Sequence, residues 1–239
     1  SASGVQQGCN LGPLCFSAGL LPLLREFEAN PPVVNATVMA HVDDVTVTLP
    51  PEDARNPRAV EAVAAWLQAR MEPLGIELNR TKSNILFPRG TDPHSWSEND
   101  RHILERTDLS VASEGTRIIG VPVGTPEYVQ RTVQDIARGE PTALLKELEN
   151  LEDAQASLQI LRFSATQRLN ALLRAIPPAL TKSAASEFDS WLEWTLAAIT
   201  MGPAKMGELS EPARLPIREG GLGLPSAIDL SGPAFIGGQ

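Results

Sequence analysis

Residues 34–49 alternate between apolar and polar with a period of two. Val34, Ala36, Val38, Ala40 and Val42 fall on one face, and Asn35, Thr37, Met39 and His41 on the other, the pattern of a half-buried strand. A second run of β-formers, Val45 to Leu49, follows, and two adjacent carboxylates, Asp43 and Asp44, stand between the runs. The spacing predicts a β-hairpin with the acidic pair at its tip. Asp-Asp is a poor tight turn, because two-residue hairpin turns need positive φ and favour Asn-Gly or Asp-Gly. Adjacent carboxylates also repel, and a cation between them is the simplest stabiliser; Mg²⁺ prefers such oxygen ligands. An isolated Asp-Asp is more often a solvated acidic turn, so the neighbouring sequence has to decide.

Around the hairpin the period changes to that of helices. Gly4-Val5-Gln6-Gln7-Gly8 is a glycine-rich turn leading into a helix whose first turn suits Pro13. Leu14, Leu20, Leu21, Leu24 and Phe27 supply its apolar side, and Pro22 is expected to kink it. Asn56 can cap a second helix with Pro57 at its first position; Val60, Val63, Ala64, Leu67 and Met71 recur until Leu74-Gly75 ends it. Short strands are expected at Ile76 to Leu78, Asn84 to Phe87 and Arg117 to Val123, with Lys82 in the polar turn between the first two. Residues 88–115 read as a polar insertion holding one short helix behind a Ser97 cap. Beyond Pro126 the pattern is helical throughout. Two amphipathic segments come first, then a leucine stripe from Ala154 to Ile176 ended by Pro177-Pro178, and a helix around Phe188, Trp191 and Leu196.

The chain has 239 residues, 42% of them hydrophobic, enough to bury a core. Cys9 and Cys15 make neither a disulfide framework nor a structural zinc site, which fits an intracellular location. No apolar run reaches the ~20 residues of a membrane span. With no initiator methionine, the chain reads as beginning inside a longer protein. The net charge of −9 has the wrong sign for binding nucleic acid mainly through phosphates. The exception is Ala154 to Lys182, which holds Arg162, Arg168, Arg174 and Lys182 and no Asp or Glu.

The order of these pieces resembles a known family. Gly4-Val5-Gln6-Gln7-Gly8-x-x-Leu11-x-Pro13-Leu14-x-Phe16, Val42-Asp43-Asp44, Leu74-Gly75-Ile76-x-Leu78-Asn79-x-x-Lys82-Ser83 and Ile119-Gly120-Val121-Pro122-Val123-Gly124 are similar to blocks B, C, D and E of reverse transcriptases, closest to the non-LTR retrotransposon type. Leu215 to Leu224 resembles a stretch often found after the thumb. The resemblance implies an α+β fold. Residues 1–125 would be a partial palm (an antiparallel hairpin sheet with packed helices), 126–202 a helical thumb-like bundle, and 203–239 a Pro/Gly-rich extension. It also implies RNA-templated DNA synthesis with Mg²⁺ or Mn²⁺, on an RNA template, a DNA primer and a deoxynucleotide.

By the same resemblance Asp43 is a metal ligand, Asp44 assists it, and Lys82 lies near the departing pyrophosphate. Gly4, Gly8 and Gln7 touch the nascent base pair or template, His41 lies by the primer terminus, and the Gly120 block steadies the primer. Arg162, Arg168, Arg174 and Lys182 offer a thumb-like helix charge toward nucleic acid, although steps of six scatter the arginines around it. Taken singly, the glycines suit an ordinary turn, Gln7 a surface amide and Lys82 a solvated loop.

The departures from the family are specific. Its further catalytic Asp lies on a strand before block B, where this chain starts, and Glu26 and Glu28 sit on the wrong element to replace it. His41 stands where the family has Tyr or Phe, and Cys9 where many relatives have Asp. The expectation is a fragment lacking the fingers and block A, inactive as a polymerase by itself. It is also expected to self-associate through an open sheet edge. The competing expectation is a non-catalytic, reverse-transcriptase-derived domain or a degenerate remnant, acting, if at all, in binding.

Overall fold

The alternation at residues 34–49 folds into an antiparallel pair, β1 (Thr37–His41) and β2 (Asp44–Thr48). The structure is a computed structural model, and it describes residues 9–92, 95–200 and 210–239. Val38 pairs with Val47 and Ala40 with Val45. These apolar pairs pack against a core built on Leu20, Phe27, Val63 and Leu67. Because side chains alternate across a strand, Met39, His41, Asp44 and Thr46 share the opposite face. The strand is shorter than its pattern predicts: Asn35 has φ 61° and breaks the run before Thr37.

Two helices support the hairpin. α1 (Gly12–Ala29) takes Pro13 in its first turn and continues through Pro22. Its buried side chains are Leu20, Leu23 and Phe27, while Leu14 and Leu21 face outward, so the apolar stripe is narrower than expected. α2 (Pro57–Met71) is capped as predicted, with Asn56 Oδ1 accepting from the Arg58 N–H at 3.1 Å, and Gly75 at φ 69° ends the short 3₁₀ turn that follows it. Phe27 meets Trp66 edge-to-face at 5.1 Å, and Arg70 bridges to Glu26 at 2.9 Å while lying over the same indole. Full burial of a side chain such as Phe27 contributes roughly 1.5–3 kcal/mol, which fixes the hairpin's inner face on the α1–α2 pair.

The expected insertion is part of this unit's framework. Ser97 Oγ accepts from the Asp100 N–H at the start of α3 (Glu98–Thr107). The helix leads to β4 (Ser110–Ala112), which pairs in parallel with β3 (Asn84–Leu86). Val60, Ile85 and Leu104 form the core beneath, with Phe87 and Trp96 edge-to-face at 4.8 Å. Ile76 to Leu78 forms no strand. The run expected from Arg117 to Val123 is divided: β5 (Gly115–Ile118) and β6 (Val121–Gly124) are separated by Ile119 and Gly120, both at positive φ.

The chain divides into two compact units, residues 1–119 and 120–239. Helices dominate the second. α4 (Pro126–Arg138) and α5 (Glu140–Glu149) pack on α8 (Pro178–Thr200), whose first residue is the second proline of the Pro177-Pro178 pair. The leucine stripe predicts one helix from Ala154 to Ile176, but the structure breaks it into α6 (Ala154–Phe163), a 3₁₀ turn and α7 (Asn170–Ala175). At the break the backbone changes to 3₁₀ bonding, with the Gln167 N–H donating to the Ser164 carbonyl and the Arg168 N–H to the Ala165 carbonyl, while Thr166 Oγ1 donates to the Arg162 carbonyl at 2.7 Å.

From Ser210 onward the expected Pro/Gly-rich extension forms defined elements. α9 (Ser210–Arg214) precedes a tight loop in which Gly220 and Gly223 have positive φ and a Cβ on Gly221 would overlap the Leu215 backbone. α10 (Ala227–Gly238) then packs on α7 and α8. Asp189 of α8, 5% exposed, organises that return. Its carboxylate accepts from Ser226 Oγ at 2.6 Å and from the Ala227 and Ile228 N–H groups at 2.7 and 3.3 Å, at the positive end of α10. Mixed helix and small sheets make the fold α+β, as expected. Among the described residues no helix is long and apolar enough to cross a membrane.

Candidate functional site

The tip of the β1–β2 hairpin is built differently from the predicted Asp-Asp turn. His41 pairs directly with Asp44, so the two turn residues are Val42 and Asp43, and Asp44 opens β2. Val42 has φ 56° and Asp43 is not among the residues at positive φ, the φ pattern of a type II′ turn. Both carboxylates are exposed, and neither makes a hydrogen bond or ion pair through its side chain with another described residue.

Asp43 and Asp44 line an open cleft of about 1290 Å³ in the first unit. This exceeds the ~300–1,000 Å³ typical of small-molecule pockets and has room for a polymer end. Lys82 lines the same cleft, as do Cys15 and Phe16 of α1 and residues 116–119. Sequence elements far apart in the chain, the acidic hairpin and the Lys82 turn, are thus brought to one groove. His41 lies on the hairpin's open face, exposed and opposite Asp44.

The Lys82 turn is held from inside. Asn79 Oδ1 accepts from Thr81 Oγ1 at 2.9 Å and from the Lys82 N–H at 3.2 Å, while its carbonyl accepts from Ser83 Oγ at 2.8 Å. Arg80 anchors the turn outward, donating to the Thr107 carbonyl and to Gln68 Oε1. These bonds leave the Lys82 side chain exposed, with no partner among the described residues. Sequence reasoning missed the supporting roles of Asn79 and Arg80. Asn before a polar turn signals a local side-chain cap, whereas the Arg80 bonds depend on tertiary placement that no local pattern carries.

Asp43 and Asp44 are carboxylates in this cleft that could take part in holding a divalent cation such as Mg²⁺, which commonly takes one or two protein carboxylates and completes its shell with water and phosphate oxygens. Among the described residues no group of three or more His, Cys, Asp or Glu side chains is arranged to hold a metal ion. Gly4, Gln7 and Gly8, expected beside the nascent base pair, lie outside the described residues.

In the second unit the four expected cations are distributed. Arg168 is paired with Glu140. Arg174 and Lys182 are exposed and make no ion pair with a described residue. Arg162 is half-buried at the end of α6 and lies over the Phe163 ring.

The first unit of this α+β chain thus brings to one cleft two carboxylates and a lysine, none of them paired through its side chain with a described residue. The chain is 32% identical over 225 residues to the retrotransposable element SLACS 132 kDa protein of Trypanosoma brucei gambiense, a match covering 94% of this chain and 17% of that protein. The chain therefore spans about a sixth of that relative, and its origin is retroelement-related. No family model matches the chain, and no solved structure does.

Proposed function

We propose that the chain is the palm and thumb portion of a retroelement reverse transcriptase, which extends a DNA primer along an RNA template with deoxynucleotides. The observation that carries this reading is the shared cleft of Asp43, Asp44 and Lys82, in a chain similar to a retrotransposable-element protein. Asp43, in the turn, is the metal ligand, and Asp44, held by its pairing with His41, positions it. Bound Mg²⁺ or Mn²⁺ supplies positive charge to the attacking and leaving oxygens of phosphoryl transfer. Lys82, fixed by the Asn79 turn, meets the pyrophosphate as its charge develops. His41 offers an imidazole to stack at the primer terminus in place of the family's Tyr or Phe. Gly4, Gln7 and Gly8 serve the nascent base pair, and the residues from Ile119 to Gly124 steady the primer. In the second unit Arg162, Arg174 and Lys182 are free of ion pairs with described residues and available to phosphates, while Arg168 would first have to release Glu140.

One observation favours a second reading, a non-catalytic domain of reverse-transcriptase descent: the carboxylates of the hairpin have no third donor among the described residues. The two readings separate in the full-length protein that carries this chain. Primer extension on an RNA template should require Mg²⁺ or Mn²⁺ and fall at least about a hundredfold in Asp43→Ala, the loss of several kcal/mol of charge stabilisation. Extension that is unchanged in that variant would overturn the catalytic reading.

A further inference from the structure

Phe163 is 66% exposed, more than any other Phe or Trp among the described residues. An apolar side chain alone on a surface is ordinary, but the surroundings of this one are not. The Arg162 guanidinium lies over the ring, 4.7 Å from its centroid. Even with the cation over the ring, about two-thirds of Phe163 remains exposed. The same guanidinium lies against Gly223, where a Cβ would stand 3.5 Å from two of its nitrogens. Gly223 has φ 65°, so the loop holds a bare backbone there by conformation as well as by size.

The charge on Arg162 is not cancelled locally. Arg138, Arg168 and Arg214 of the same unit all reach carboxylates. Arg162 makes no ion pair with a described residue, and no Asp or Glu occurs from Ala154 to Lys182. The break after α6 sets the geometry: Phe163 is the last residue of α6 and stands at an elbow before the 3₁₀ turn. A half-buried cation stacked on an open ring presents two recognition elements side by side. The ring takes a flat, uncharged group, and the planar fork takes an anion next to it. A protein surface would have to bring an apolar group and a carboxylate side by side to satisfy both elements. A nucleotide within a strand supplies a base and a phosphate at that spacing.

We propose that Arg162 and Phe163 form a stacking platform for an unpaired base of single-stranded nucleic acid, the open face of Phe163 holding the base and Arg162 the adjoining phosphate. The proposal deepens the nucleic-acid reading above, yet it uses none of the hairpin residues, and its test is run in EDTA. A failure of metal-dependent synthesis and a failure of this platform are therefore separate results.

The test measures binding of the 239-residue chain to short single-stranded RNA and DNA homopolymers and to abasic strands of equal length. The chain should bind the base-bearing strands about 5- to 150-fold more tightly than the abasic ones, the range expected for one stacked base. Phe163→Ala should erase that preference and Phe163→Tyr should keep it, with circular dichroism and melting unchanged in both. Arg162→Gln should weaken binding to either type of strand and flatten its salt dependence. Preference for RNA would point to the template as the strand held, and preference for DNA to the primer strand; either supports the platform. Equal binding of base-bearing and abasic strands, a preference that survives Phe163→Ala, or no binding by the unaltered chain would overturn it.

Discussion

Val42 holds φ at 56°, a region a β-branched side chain avoids, at the one turn position where a II′ hairpin favours glycine. Strain of this kind costs about 1–3 kcal/mol, and glycine itself costs roughly 0.5–1 kcal/mol in chain entropy. Val42→Gly should therefore raise the unfolding free energy by roughly 1 kcal/mol, measured by urea denaturation. A decrease would mean that contacts of the half-buried Val42 side chain outweigh the strain. The carboxylates of the tip were legible in the sequence because alternation on both sides fixed where the hairpin had to reverse. Their register was not legible. A slip of one residue decides whether Asp43 and Asp44 form the turn or straddle its end, and only the His41–Asp44 pairing settles that.

The elements divide in the same way between local and tertiary causes. Helices announced by caps, α2 behind Asn56 and α3 behind Ser97, were legible because the cap is a local bond. The break between α6 and α7 was hidden, since leucines spaced three and four apart give no sign that the backbone changes to 3₁₀ bonding after Ser164. α10 was hidden more deeply. Its sequence carries Gly232, Pro233, Gly237 and Gly238, poor helix formers, and the helix depends on packing and on Asp189 in α8. Asp189→Ala should leave buried donors of Ser226 and Ala227 unpaired and destabilise the protein by about 2–4 kcal/mol. The check is chemical denaturation together with amide exchange at Ala227 and Ile228, which should speed up ahead of exchange in α4. The pairing of α4 with α8 responds to pH. The hydrogen bond from Arg138 holds the Glu187 carboxyl below the usual carboxylate range, against the opposing effect of burial. A carboxyl lowered by folding adds stability that is present above its unfolded value and is lost as pH falls through its folded value. Acid unfolding below about pH 4.3 should accordingly be shallower in Glu187→Gln than in the parent chain.

At the scale of the whole molecule, charge and an open sheet act against each other. The net charge of −9 repels like copies and favours dispersal, but it acts through water and weakens with salt. The β1–β2 pair is a two-stranded sheet with no third strand on either side among the described residues, so each strand has an unpaired outer edge. Its open face also carries Met39, 62% exposed, among polar neighbours. Strand pairing between copies adds backbone hydrogen bonds that salt does not screen, whereas salt removes the repulsion opposing it. The chain should therefore self-associate at micromolar concentration, and more strongly as ionic strength rises, the opposite of what contacts between charges would give. Met39→Lys, which sets a charge on the hairpin's open face without touching its core, should shift the equilibrium toward monomer. Sedimentation velocity across a salt series decides the matter. A monomer at every salt concentration, or association that weakens as salt is added, would show that the hairpin edges are not what brings copies together.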